Sequence, residues 1–323
     1  METITNFEIK EEKLHSYAIA PDVIGFKILF VNIYTIGQPG EGNPWSLVDA
    51  GLPGSAKRII KETEKLYGKN NPPRVIILTH GHFDHVGALS DLLKEWPGVK
   101  VYAHPYEIPY LTGQVSYPYP DPFAGDGAMS FTSWLFPVKP IDLDDRVYPI
   151  TEEFSVPQLP DWSMIYTPGH TPGHISLFRK KDKSLIAGDA FINTDQNALF
   201  SVVTQKREIH APPTYFTINW KDAKASIQKL LDLKPEAAGT GHGLPIFSKA
   251  LNEGLTKLLL NFDKEEIPHN GFYVKNPVNY DEGQLPYSET PTSYQVMVTA
   301  ARALLLTFAG FGLYYFIKRI RNK

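Results

Sequence analysis

The chain has 323 residues, enough for one large domain or two modest ones, and its 42% hydrophobic and 21% charged residues are ordinary globular proportions. A net charge of -3 offers no basic surface for a nucleic-acid backbone. The absence of cysteine excludes disulfides, thiolate metal sites and a thiol nucleophile.

Residues 1–13 carry no basic-then-apolar signal pattern. Apolar runs over 28–33 and 45–48 predict two short strands joined by a Gly/Pro-rich turn, the second running into Asp49 just ahead of Gly51. The spacing of Ile59, Ile60, Thr63 and Leu66 predicts an amphipathic helix over 56–67, which Pro72 and Pro73 end. Residues 75–78 then read as a buried strand opening onto Thr79-His80-Gly81-His82-Phe83-Asp84-His85. Positions i and i+2 of an extended segment project to one side, so His80 and His82 can reach one ion. Asp84 and His85 fall where the apolar spacing turns helical (Val86, Leu89, Leu92, Leu93) and can reach a neighbouring point. Ligand-type side chains packed this densely read as half of a metal site that needs partners from elsewhere.

A helix over 88–96 and a strand over 99–103 are expected next. The stretch 105–140 has a different character: seven prolines interleave with Tyr106, Tyr110, Tyr117, Tyr119, Phe123, Phe131, Trp134 and Phe136. Rigid backbone with aromatic surface suits a cap over a site, the alternative being a surface excursion packed on its own rings. A strand over 164–166 leads into Thr167-Pro-Gly-His170-Thr-Pro-Gly-His174, and a hairpin over 175–187 ends in Gly188-Asp189. A helix over 221–233, a strand over 236–239 ending in Gly241-His242-Gly243, and a helix over 247–262 complete the pattern. His170, Asp189 and His242 each follow a predicted strand beside a glycine. Alternating strands and helices with polar residues at strand ends fit a layered α/β domain with its site along one sheet edge. Seven ligand-type residues suit two ions that share one carboxylate.

His80-x-His82-x-Asp84-His85 followed by His170, Asp189 and His242 resembles the metallo-β-lactamase superfamily over residues 29–246. The resemblance implies a four-layer αββα sandwich. It also implies one metal on His80, His82 and His170, a second on Asp84, His85 and His242, and Asp189 bridging them. Asp49 would support the ligand loops from behind. Two divalent cations, by default Zn²⁺ with Mn²⁺ or Fe²⁺ as alternatives, would activate a bridging hydroxide, and Asp84 would orient it and pass a proton to the leaving group. His82 stands where flavodiiron relatives have Glu, and Asp189 where true β-lactamases have Cys or Ser. The nucleic-acid-processing branches add basic parts that this chain lacks. The remaining expectation is hydrolysis of a small-molecule carboxylic ester or lactone. A hydroxyacyl-thioesterase and a non-catalytic, membrane-tethered metal-binding module are the alternatives. Ile192 replaces a tyrosine frequent in lactonases, and the basic C-terminal helical domain of glutathione-thioester hydrolases has no counterpart. His174 is expected to play a supporting part, and His15, His104, His210 and His269 none.

The domain reading is a catalytic unit over 1–269 with the capping insert at 105–140, a linker over 270–292 and an apolar helix over 293–323. Residues 296–317 are long and apolar enough for a membrane anchor with basic residues at its end, or for a helix packed on protein. The anchor reading leaves the catalytic unit on the cytoplasmic side.

Overall fold

Val75, Ile76, Ile77 and Leu78 are apolar at every position because both faces of their strand are covered. Val75 and Ile77 enter a core shared with the facing sheet, while Ile76 and Leu78 enter a core under helices. The computed structural model describes residues 16–280 apart from 126, 140, 153–155, 199–200, 202–203 and 205, with isolated positions between 295 and 307.

The first sheet runs in chain order through β1 (Ser16–Ala20), β2 (Val23–Ile28), β3 (Val31–Ile36), β4 (Ser46–Val48), β5 (Val75–Ile77), β6 (Lys100–Ala103) and β7 (Val147–Pro149). Its first four strands are antiparallel, and β4 to β7 are parallel. The second sheet has the order β12-β11-β10-β9-β8, built from β8 (Trp162–Tyr166), β9 (Ile175–Arg179), β10 (Ser184–Gly188), β11 (Ala237–Thr240) and β12 (Ile246–Phe247). Only its β10–β11 pair is parallel.

Three cores separate the layers. Helices α1 (Ala56–Tyr67) and α3 (Leu89–Glu95) place Ile59, Leu89 and Leu92 against Leu47, Ile76 and Val101 of the first sheet. Between the sheets, Tyr34, Val48 and Ile77 meet Met164, Leu177 and Ile186. On the far side α6 (Trp220–Asp232) and α7 (Ser248–Asn261) bury Trp220, Ile227, Leu251 and Leu255 against Leu185 and Ala187. The order is therefore helix, sheet, sheet, helix, the expected αββα sandwich. Asn219 caps α6 by accepting the backbone N–H of Asp222 at 3.1 Å, which satisfies one donor of the free first turn. The short helices α2 (Phe83–Val86), α4 (Ile108–Leu111) and α5 (Ala128–Thr132) sit near the sheet edge, the last two within the insert.

One expectation changes here and one is untested. The apolar run over 28–33 is not one strand but the tip of a hairpin, with Ile28 paired to Val31. Leu29 takes φ +60 and is 69% exposed, so an apolar residue occupies a turn position that usually announces itself with Gly or Asn. The apolar segment 296–317 and residues 281–292 of the linker lie almost wholly outside the described residues, while the start of the linker is ordered, with a helical turn over Phe272–Lys275 and with Tyr273 and Val278 buried. Among the described residues, no helix is long and apolar enough to cross a membrane.

Candidate metal centre

Parallel pairing of β4 with β5 and of β10 with β11 brings the ends of these strands to one edge of the sandwich. Asp49 follows β4, His80 follows β5, Asp189 follows β10 and His242 follows β11, while His170 lies on the turn between β8 and β9. His82, Asp84 and His85 come from the start of α2. All seven side chains converge. Ligand atoms of His80, His82 and His170 lie within 4.8 Å of one another, as do those of His80, His85 and Asp189 and those of Asp84, His85 and His242.

Hydrogen bonding behind the rings decides which nitrogen faces inward. The Phe30 carbonyl can only accept, so His242 donates its Nδ1–H to it at 2.8 Å and leaves Nε2 for the centre. The Asp49 carboxylate takes the Nδ1–H of His85 at 2.8 Å in the same way. Thr79 donates its hydroxyl to Asp49 at 2.8 Å, so toward His80 Nδ1, 3.1 Å away, that oxygen acts as acceptor. The Nε2 atoms of His80, His85 and His242 are thus all aimed at the centre, an arrangement that fixes ring orientation and raises ligand basicity. Asp49 also accepts the Thr79 backbone N–H at 2.8 Å, and it reaches this position with φ +62.

The carboxylate of Asp189 lies centrally, 3.6 Å from His85 Nε2, 3.6 Å from His170 Nε2 and 3.2 Å from His242 Nε2. Gly241 packs directly on it, and a Cβ there would occupy the space of the Oδ1 atom. His174 stands outside the cluster: its Nε2 accepts the Asp189 backbone N–H at 2.9 Å, and its Nδ1 meets Thr167 Oγ1 at 2.8 Å. It therefore positions the central carboxylate without facing the centre. His104 stacks on Tyr166 with ring centroids 4.4 Å apart, and burial pushes it down to about 4.

These residues fit divalent cations. His80 Nε2, His85 Nε2, His170 Nδ1 and Asp189 Oδ1 are buried without a hydrogen-bond partner, a costly state for polar atoms in a dry interior. His82 Nδ1 and His170 Nε2 face each other at 3.0 Å, where two lone pairs repel unless a cation or proton lies between them. Burial pushes the pKa values of His80 and His82 well down and that of His170 to about 3, so these three rings are neutral donors. Burial would raise Asp189, but His242 and His85 beside it hold it well below the usual carboxylate range, and the aspartates around those two rings raise them in turn, so an ion binding there must displace a proton. Imidazole nitrogens with two aspartates and no thiolate suit Zn²⁺, Mn²⁺ or Fe²⁺.

One residue of the site carried no signal in the sequence. Glu107, fully buried, joins the loops that bear the histidines. Its Oε2 accepts the Gly81 N–H at 2.9 Å and the Tyr117 hydroxyl, and its Oε1 accepts the Thr171 hydroxyl at 2.7 Å and the Gly173 N–H at 2.8 Å. Burial raises its pKa, and the four donors work against that shift. Two rings of the insert lie close by: Tyr117 is 4.8 Å from the His82 ring, and Phe136 is 5.5 Å from Phe83.

The model of the "Metallo-beta-lactamase superfamily" matches residues 27–242. The chain belongs to this superfamily. Among similar proteins, "Probable metallo-hydrolase YflN" of Bacillus subtilis (strain 168) is 44% identical over 242 residues, covering 75% of this chain and 91% of that protein. The hydroxyacylglutathione hydrolase of Erwinia tasmaniensis is 30% identical over 154 residues, 48% of this chain and 45% of the relative. A β-lactamase domain protein from Burkholderia ambifaria superposes with a TM-score of 0.52 at 18% identity, covering 77% of this chain and 76% of that one, which bears on the fold alone. Membership and the His/Asp groups together make the chain a metallo-hydrolase of the superfamily.

Proposed function

We propose that this metallo-hydrolase cleaves a carboxylic ester or a lactone with two divalent metal ions. One ion would be held by His80, His82 and His170, the other by Asp84, His85 and His242, with Asp189 between them. The convergence of seven ligand-type groups whose supporting hydrogen bonds turn Nε2 atoms inward carries this reading. When bound, such ions lower the pKa of water to about 7 and polarise a carbonyl oxygen.

The chain's own residues do the rest. Asp49, Thr79 and the Phe30 carbonyl keep His85, His80 and His242 in the tautomers that present Nε2. Asp84 is buried, which raises its carboxyl above the usual range, and its Oδ2 lies 3.5 Å from His242 Nε2. A carboxylate at this place can take at Oδ2 the proton that the attacking water gives up and return it to a leaving alkoxide. Among the described residues, Tyr215 is the one lining side chain outside the seven that has an O–H, and it stays a neutral phenol because burial raises its pKa well above the usual value. It can donate to a substrate oxygen.

A second reading, thioester hydrolysis, is supported by the similarity to a hydroxyacylglutathione hydrolase, although that similarity spans less than half of the relative. Attachment to a membrane through 296–317 stays part of the proposal on sequence grounds, with the catalytic unit on the cytoplasmic side. Turnover of ester, lactone and thioester panels by the metal-loaded full chain, with and without chelator, tests the reading. Chelator-sensitive ester or lactone cleavage is expected. Turnover confined to thioesters would favour the second reading, and none with any panel would defeat both.

A further inference from the structure

Leu29, Phe123, Phe131 and Leu135 are each more than half exposed, and they make up half of the exposed large apolar side chains among the described residues. All four border the metal centre. Leu29 is the hairpin tip beside Phe30, and Phe131 and Leu135 lie between Met129 and Phe136; Phe30, Met129 and Phe136 line the space before the ligands. Phe123 follows Asp121, whose backbone N–H donates at 2.7 Å to the carbonyl of Tyr215, another lining residue. That space amounts to about 10 Å³, room for no more than a single water, so the four side chains belong to an outer surface and not to a channel. Apolar groups scattered singly over a surface are ordinary, whereas four around one mouth mark a contact face.

The charges around this face have the order of a lipid interface. Residues 127–138 carry no charged side chain, and Lys139 follows them. Lys27 stands two positions before Leu29, and the Arg58 guanidinium donates to the Lys27 carbonyl at 2.9 Å. Apolar side chains backed by lysine and arginine match the acyl and headgroup levels of a bilayer. Leu260 on α7 gives the contrast. It is more exposed than any of the four, but it stands with Lys221, Lys224 and Asp263, a single apolar group on a charged face.

The C-terminal extension leaves the domain on the same side. Asp121 Oδ2 accepts the Phe272 N–H, and the Tyr273 hydroxyl donates to the Tyr119 carbonyl at 2.9 Å, so the extension is bonded to the insert. The Tyr280 ring lies 6.1 Å from that of Tyr106, at the start of the insert. Residues 281–295, which span about 50 Å at most, then lead to the apolar run 296–317. A bilayer entered by that run is held within reach of the insert. Resting on the anchor reading of 296–317, we infer that Leu29, Phe123, Phe131 and Leu135 form a membrane-contact surface, which lies on a lipid bilayer with the mouth of the metal centre turned toward it.

The chain has no cysteine, so one introduced residue provides a unique thiol for the environment-sensitive fluorophore NBD. Metal-loaded full chains carrying Leu29→Cys, Phe131→Cys or Leu260→Cys are labelled and mixed with vesicles of phosphatidylcholine and phosphatidylglycerol. Emission should shift to the blue and rise at positions 29 and 131, and nitroxide-bearing lipid should quench it there; at position 260 it should stay as in buffer. Because the dye is itself apolar, the label at 131 is also read in a Leu29→Asp, Leu135→Asp background, where quenching should fall, and in a Leu260→Asp background, where it should not. Unchanged emission at 29 and 131, or equal quenching at 260, would overturn the inference. So would a blue shift at 131 that grows with protein concentration in the absence of vesicles, since a second copy would then cover the face. Alkaline carbonate extraction separates the inference from the anchor. A chain retained in the membrane but unquenched at 131 would keep the anchor and defeat the contact surface. A chain quenched at 131 yet released by carbonate would keep the surface and defeat the anchor, and one neither quenched nor retained would defeat both.

Discussion

Replacing Glu107 by glutamine keeps the volume of the side chain and reverses the hydrogen-bonding sense of one atom. Each carboxylate oxygen accepts one backbone N–H and one hydroxyl: Gly81 and Tyr117 on Oε2, Gly173 and Thr171 on Oε1. Whichever way the amide turns, its NH₂ meets a glycine N–H. The hydroxyl on that side can rotate to accept, but the N–H cannot. One buried donor thus loses its partner, at a cost of about 1–3 kcal/mol. Because the amide also avoids the burial cost that raises the Glu107 pKa, the lower half of that range applies, about 1–2 kcal/mol. Glu107→Ala strands all four donors and should cost about 3–5 kcal/mol. Gly81 lies between His80 and His82, and Gly173 lies in the turn that carries His170, so metal affinity should weaken with stability. Urea unfolding of the metal-free chain, read as a lower midpoint at unchanged slope, and metal titration of the folded chain measure the two effects. Unchanged midpoints and affinity in both variants would refute the idea that Glu107 fastens these loops.

Asp49→Asn should weaken metal binding about 10- to 100-fold with little loss of fold, because an amide facing His85 Nδ1 favours the tautomer whose Nε2–H points at the centre; metal titration reads this directly. Acid sensitivity has an identifiable source in Asp22, whose carboxyl the Arg179 guanidinium holds below its usual range through bonds of 2.6 and 2.7 Å. A depressed carboxyl contributes stability above its unfolded pKa of about 3.9, and that contribution is lost as pH falls through the folded value. Asp22→Asn should therefore lower the urea midpoint at pH 7 and flatten its decline below pH 4. Tyr215→Phe, if the phenol donates to the substrate, should reduce kcat about tenfold or more while KM changes little. Fractionation of the full chain against one ending at 292 tests the anchor, and equal solubility would exclude it.

The metal-type cluster was legible because its signals are local. Three imidazoles and a carboxylate crowd between positions 80 and 85, and each later partner follows a strand beside a glycine. The layers were legible for a similar reason: a strand apolar at every position, such as Val75 to Leu78, implies cover on both faces. Glu107 was not legible. Its partners lie 26 and 66 residues away for Gly81 and Gly173, and nothing in the surrounding Tyr/Pro-rich stretch sets this carboxylate apart. The hairpin tip at Leu29 was hidden by the apolar run that passes through it. Side chains from 105–140 lie beside the centre, but the choice of Met129 and Phe136 to face it and of Phe131 and Leu135 for the surface depends on how that stretch docks. Phe216 went unremarked because it lies outside every regular element that the sequence pattern announces.

The central claim is that His80, His82, Asp84, His85, His170, Asp189 and His242 hold two ions that are required for hydrolysis. Elemental analysis of the purified chain beside Asp189→Ala, paired with ester turnover before and after chelation, addresses it most directly. The account predicts about two divalent ions per chain, marked depletion in Asp189→Ala, and turnover abolished by chelator and restored by Zn²⁺ or Mn²⁺. Full ester turnover by a metal-free chain, or unchanged metal content in Asp189→Ala, would contradict it.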